Sequence, residues 1–132
     1  LACAERWVEA QDGDPAVWTD PGALPRAPVV VDVPAPADGW VSGLDARGLG
    51  EAARWLGAGR LHPDQSVDPV AGLELLAKVG DPLVAGEPMA MVHARDAWAA
   101  ERARGMVARC VERSQEPVDP PPLLLGRGRG DA

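Results

Sequence analysis

Apolar and polar residues recur with two different periods along this chain, and the switches between them lay out its elements. Leu1, Ala4, Trp7, Val8 and Ala10 fall at helical spacing. They predict a helix from Leu1 to Gln11, stopped by Asp12-Gly13-Asp14-Pro15. Asp20-Pro21-Gly22 and Leu24-Pro25 read as turns, so the stretch up to Pro28 is expected to be a linker. Val29-Val30-Val31-Asp32-Val33 is a β-branched run that predicts a strand closed by Pro34 and Pro36. After an Asp38-Gly39 turn, Trp40 to Leu44 predicts a second strand, and the two are expected to pair like a hairpin. Leu49, Ala52, Ala53 and Leu56 then share one face of a short helix over 48–56, stopped by Gly57 and Gly59. Strands are expected over Leu73–Ala77 and Met89–Ala94, with turns at Lys78–Pro82 and Glu87-Pro88. Asp96 caps a long helix reaching about Ser114. Its inner face is expected to carry Trp98 or Ala99, Met106, Val107, Cys110 and Val111, with Arg102, Arg104, Arg109 and Arg113 outside. Pro117 and Pro120-Pro121-Pro122 break it, Leu123-Leu124-Leu125 reads as an edge strand, and 126–132 as a frayed end.

The chain divides accordingly into 1–28, the end of a preceding region plus a linker; 29–94, a strand-rich domain; and 95–132, a helix and tail. Its 132 residues allow one domain with extra elements at the ends. No solenoid period is present. The apolar set has five Trp but no Phe or Tyr, and Lys78 is the sole lysine. With its many Ala, Gly, Pro and Arg, this usage reads as the coding bias of a high-GC genome.

Net charge is −7, acidic over the first two-thirds and about neutral after His93. That argues against duplex nucleic acid as a partner but leaves small anions open. Cys3 and Cys110 make no zinc-ligand spacing. Two idle cytosolic thiols are expected, with a single disulfide between the end segments as the alternative. No apolar run approaches the roughly 18 residues of a membrane span, and a cytoplasmic protein is expected. A helix already under way at Leu1, with no initiator Met, implies a chain that begins inside something longer.

Gly57-Ala58-Gly59-Arg60 invites a phosphate-loop reading, but phosphate loops precede a helix, where N–H groups and the positive dipole end face the anion. These glycines follow one, so Gly57 or Gly59 is expected at its left-handed C-terminal position. Arg60 is expected on the last carbonyls, or paired with Asp64 or Asp68. The remaining functional reading is a flap, formed by the loop holding Gly57, Gly59, Arg60, Asp64 and Asp68, over another domain's site. Asp64 and Asp68, four apart, suggest an acid–base pair, yet no third group supports it, and a turn bonded to its own backbone is the simpler reading. His93 reads as a packed or edge residue of its strand. His62 and His93 bind a metal only if folding adds an acid.

Lys78-Val79-Gly80-Asp81-Pro82 through Met89 resembles the repeat of biotinyl and lipoyl carrier domains. There a Gly-Asp turn and a later Gly set up two strands of a flattened barrel. Carrier chemistry needs a lysine at a hairpin tip, whereas Lys78 precedes the turn, so only the fold signal carries over. The expected class is therefore α+β: a small antiparallel barrel-sandwich-like domain with an inserted short helix, flanked by an N-terminal and a long C-terminal helix.

Residues 34–94 as an ordered string resemble the C-terminal domain of the thymidine and pyrimidine-nucleoside phosphorylases. Pro34-Ala35-Pro36-Ala37-Asp38-Gly39-Trp40-Val41 is similar to that family's A-x-x-x-G-x-V strand turn. Leu49-Gly50-Glu51-Ala52-Ala53 leads into Leu56-Gly57-Ala58-Gly59-Arg60. Asp64, Val67, Asp68, Val70 and Gly72 follow at family spacing, then Lys78, Gly80, Asp81, Val84, Gly86, Pro88 and His93. Residues 1–33 resemble the link from the catalytic region, departing at Gln11-Asp12-Gly13, where many members have two glycines. The tail resembles the last helix and strand.

The resemblance implies a parent enzyme, a pentosyltransferase that reversibly cleaves thymidine, deoxyuridine or uridine with phosphate. The products are free base and a pentose 1-phosphate. It implies no cofactor beyond phosphate as co-substrate, no nucleic-acid or membrane partner, and a homodimeric parent. The family's Lys-x-Ser-x-Gly-Gly phosphate loop and base-binding residues do not occur in this chain. No catalytic, substrate-binding or metal-binding residue carries over, only a scaffold role that limits closure of the phosphate-binding domain. Two other readings stand beside it. One is a non-catalytic barrel-sandwich binding or regulatory module. The other is a small hydrolase using His62 and Asp68 with Ser66 as nucleophile, for which no elbow or oxyanion pattern is present.

Overall fold

The computed structural model describes residues 2–60 and 62–123. Three α-helices, α1 (Ala2–Glu9), α2 (Ala46–Ala53) and α3 (Ala97–Ala108), accompany six strands. The strands are β1 (Val29–Pro34), β2 (Gly39–Leu44), β3 (Gly72–Leu75), β4 (Pro82–Leu83), β5 (Pro88–Ala94) and β6 (Val111–Ser114). They form two antiparallel three-stranded sheets, ordered β1-β5-β3 and β4-β2-β6. The result is α+β, an open sandwich of two small sheets rather than a closed barrel.

The expected pairing of the first two strands does not occur, because β1 and β2 lie in different sheets. The chain changes layers at Ala35, which is buried and bonded to the 86–87 turn. Its N–H donates to Glu87 O at 2.8 Å, and its O accepts from Gly86 N at 2.9 Å. Val33 and Val41, both fully buried, therefore enter the shared core from different sheets instead of lying side by side in one. In β1 the alternation is that of a half-buried strand, with Val31 and Val33 inward and Val30 and Asp32 outward.

The side chain of Asp45 caps α2 by accepting from Gly48 N at 3.0 Å. Asp96 caps α3 through Ala99 N at 2.8 Å. The long helix expected to reach Ser114 ends at Ala108. Beyond it, Val111 to Arg113 pair with β2, Val111 opposite Leu44 and Arg113 opposite Val41. The β-branched Val111 and the open edge of β2 outweigh helical continuation there. The inner face of α3 is Ala100, Ala103 and Val107, while Trp98 is 68% exposed. Small alanines let the helix lie close on β1 and β5, which accounts for a core without Phe or Tyr. Pro82, expected to close the Lys78–Pro82 turn, instead begins with Leu83 a short strand on β2. At the foot of β3, the N–H groups of Leu76 and Ala77 share the Met89 carbonyl. Leu123 is fully exposed, and the rest of the expected Leu123–Leu125 strand lies outside the described residues.

Candidate functional site

The loop proposed from sequence as a flap begins where α2 widens into a π-helical turn, Arg54–Ala58. Gly57 ends it with φ 109°, the left-handed conformation that glycine adopts without penalty. Gly59 is extended (φ −145°) and does not fill that position. The Asp68 N–H then donates to Gly57 O at 2.8 Å, closing the base of the loop. A Cβ added to Gly57 would lie 3.2 Å from Asp68 Cβ, so the two positions are in contact.

Asp68 is the most engaged carboxylate of the loop. Its Oδ1 accepts from Val70 N at 3.1 Å, and its Oδ2 accepts from Arg95 Nε. The expected pairing with Arg60 is replaced by this contact, and among the described residues Arg60 forms no ion pair with Asp64 or Asp68. The hydrogen bond from Arg95 holds the Asp68 carboxyl below the usual carboxylate range; burial opposes this, and Val70 N–H and the Arg95 charge reinforce it. Of the five flap residues, the structure joins Gly57 and Asp68 and adds Arg95. Arg60 and Asp64 stay exposed, and Gly59 is packed near the Arg54 stem. Arg95 was missed in sequence because it is 27 residues from Asp68. Its one local signal is its place between β5 and the Asp96 cap.

His62, Asp64 and Ser66 are exposed, and the His62 carbonyl accepts from Gln65 N in a turn. Among the described residues no hydrogen bond links Ser66 to His62, so the nucleophile–base contact a hydrolase needs is not made. His93 lies on β5 with Nε2 3.7 Å from Glu74 Oε2 on β3. No group of three His, Cys, Asp or Glu side chains suited to a metal occurs among the described residues. Both thiols are free, Cys3 exposed and Cys110 buried, so the disulfide alternative is not realised. Burial above all, then the Asp45 charge, pushes the Cys110 thiol up, and its Sγ donates to Met106 O at 3.3 Å.

Lys78 sits at the head of a β-turn in which Asp81 N donates to Lys78 O at 3.0 Å and Gly80 takes φ 97°. That turn joins β3 of one sheet to β4 of the other, so it is not the tip of a hairpin as carrier chemistry requires. Two features escaped the sequence reading. The Trp55 and Trp98 rings lie 5.7 Å apart with the Arg102 guanidinium over both, 5.2 and 5.8 Å from the centroids. A groove of about 380 Å³ also opens between Pro25–Ala27, Pro69–Val70 and His93. No helix among the described residues is long and apolar enough to cross a membrane.

Residues 40–114 match the model of a family described as the pyrimidine nucleoside phosphorylase C-terminal domain. The chain is similar to a thymidine phosphorylase of Burkholderia cenocepacia (strain HI2424), 41% identical over 92% of this chain and 29% of that protein. It is also similar to a pyrimidine-nucleoside phosphorylase of Geobacillus stearothermophilus, 39% identical over 70% of this chain and 22% of that protein. A third relative is the pyrimidine-nucleoside phosphorylase of Bacillus subtilis (strain 168), 40% identical over 67% of this chain and 20% of that protein. The chain spans less than a third of the length of these curated relatives.

Proposed function

The chain belongs to the pyrimidine nucleoside phosphorylase C-terminal domain family, and on that premise we propose that it is the non-catalytic scaffold domain of a longer pyrimidine-nucleoside phosphorylase. The parent is a pentosyltransferase that splits thymidine, deoxyuridine or uridine with phosphate into free base and pentose 1-phosphate. It works in the cytoplasm as a homodimer, with phosphate as co-substrate and no further cofactor. The observation that carries this reading is the lopsided coverage: 92% of this chain aligns with 29% of a thymidine phosphorylase.

The chemistry of such a reaction explains why this segment would stay out of it. Phosphorolysis places an anion against a sugar of oxocarbenium character and stabilises a departing pyrimidine. That work calls for convergent donors in a closed cleft, whereas the chain's His62, Asp64 and Ser66 are all exposed. A rigid sandwich instead offers a fixed stop for a closing domain. Residues 1–28 are read as the end of the preceding catalytic region and its linker. In support, α1 buries none of its residues and leaves Trp7 72% exposed.

The test is thymine release from thymidine and inorganic phosphate, measured on the full-length parent and on the 132-residue chain. We expect turnover by the parent and none by the chain. An inactive, folded parent would overturn the enzyme assignment, and turnover by the chain alone would overturn the scaffold role.

A further inference from the structure

The chain holds two Asp-Gly dipeptides, Asp12-Gly13 and Asp38-Gly39, and no asparagine. In Asp-Gly the aspartyl side chain closes most easily on the following amide, because glycine puts no Cβ in the way of the ring. By sequence the two sites are equivalent. Their surroundings in the fold are opposite.

Asp38-Gly39 is locked. Asp38 Oδ1 accepts from Ala85 N at 2.8 Å, and its carbonyl accepts from Arg113 Nη1 at 2.7 Å. Gly39 opens β2 opposite Leu83, so close to β6 that an added Cβ would lie 2.4 Å from Ser114 O. Carboxyl and amide cannot turn toward each other there without opening the sheet. Asp12-Gly13 instead lies at the end of α1, with both residues exposed. The Asp12 N–H donates to Glu9 O at 3.1 Å and the Gly13 N–H to Val8 O at 2.9 Å, the two bonds of a Schellman cap. The left-handed position of that cap is filled by Asp12, at φ 59°, where glycine is the usual occupant. Among the described residues no hydrogen bond or ion pair holds the Asp12 carboxyl. The bond on the Gly13 amide lasts only as long as α1 stays wound, and this helix of 8 residues buries none of them.

We propose that Asp12-Gly13 is a self-modification site, at which the folded chain converts aspartate to isoaspartate. The Gly13 nitrogen attacks Cγ of the protonated Asp12 carboxyl. A C–N bond forms, the carboxyl hydroxyl leaves as water with the amide proton, and a five-membered succinimide closes. Water then breaks the older C–N bond, at the former main-chain carbonyl. The main chain now runs through Cβ and Cγ, and a free α-carboxylate is left. One water is released and one consumed, with no oxidant or cofactor. The added methylene lengthens the chain between α1 and the Pro15–Trp18 turn and displaces both capping bonds.

The test ages the 132-residue chain in warm, mildly acidic buffer, both folded and in guanidinium chloride, and is independent of phosphorolysis. Isoaspartate at residues 12 and 38 is quantified by peptide mapping with electron-transfer fragmentation. In the folded chain it should form at residue 12 at least about tenfold faster than at residue 38, the protection that a modest difference in local opening gives. In guanidinium chloride the two rates should agree within about twofold, since only the fold separates them. The Val8 methyls, which pack on Gly13, should split into two NMR signals as the folded chain ages. Those of Asp12→Gly, a substitution that suits the same φ, should not. No isoaspartate at residue 12, equal rates at both sites in the folded chain, the same preference in guanidinium chloride, or equal splitting of Val8 in Asp12→Gly would each overturn the proposal.

Discussion

Asp68 receives hydrogen bonds from two directions, the guanidinium of a distant arginine and the amide two residues ahead. Both favour its ionised form, and Arg95 contributes most to lowering its pKa. A carboxylate whose folded pKa is depressed adds stability above its unfolded pKa. That stability drains away as pH falls through the folded value. The contribution of Asp68 is thus complete above roughly pH 4 and lost below it. Arg95→Gln is expected to move the Asp68 carboxyl titration, read by carbon NMR, upward toward the ordinary range and to flatten the acid limb of the melting curve. An unmoved titration would show that Arg95 is not what holds it. That Asp68 is bonded within its own loop was legible from its neighbours in sequence. Its arginine was not, because nearness in sequence pointed to Arg60, and only the packing of the 57–72 segment against the end of β5 selects Arg95.

At the scale of elements, helix ends carry the sharper lesson. The sequence left two glycines eligible to end α2, and the backbone uses Gly57, at φ 109°, with Gly59 extended. Gly57→Ala should cost about 1–2 kcal/mol, since an L side chain is strained at that φ. Gly59→Ala should change stability far less, because Gly59 is extended and the atom nearest its added Cβ is the Arg54 Cγ, at 3.3 Å, on a side chain that can shift. Thermal melts of the two variants decide it, and equal losses would refute the assignment of the cap. The Asp96 cap and the existence of four of the six strands were readable from local chemistry; the Asp45 cap was not read, and the two-residue β4 was hidden behind the Gly80-Asp81-Pro82 turn. Val111–Ser114 was absorbed into a helix because its residues continue the apolar spacing of α3, and only the unpaired edge of β2 draws them out. Partner choice was equally invisible. Two strands separated by an Asp-Gly turn look like a hairpin until Ala35 is seen bonded to the 86–87 turn.

Across the whole molecule, cohesion is uneven. In the described residues α1 packs on the Pro15–Trp18 turn and buries none of its side chains, and a helix of this length has little stability of its own. Its amides should exchange with deuterium far faster than those of β5, the central strand of its sheet. Comparable protection in both would refute the loose attachment of α1. The fold class was legible in sequence because turn residues and alternation mark strands one at a time. The arrangement was not, because it depends on which layer each strand joins. That layering follows a strict rule: β1, β3 and β5 build one sheet, β2, β4 and β6 the other. Each sheet is therefore threaded through the other in sequence, and every strand pairing must wait for a later segment. On a ribosome, β1 has no partner until β5 emerges, and the β2 edge stays open until β6, past residue 110, is out. Non-local pairing of this kind folds slowly. The nascent segment would thus remain open, and a target for chaperones, until nearly its last strand had been synthesised.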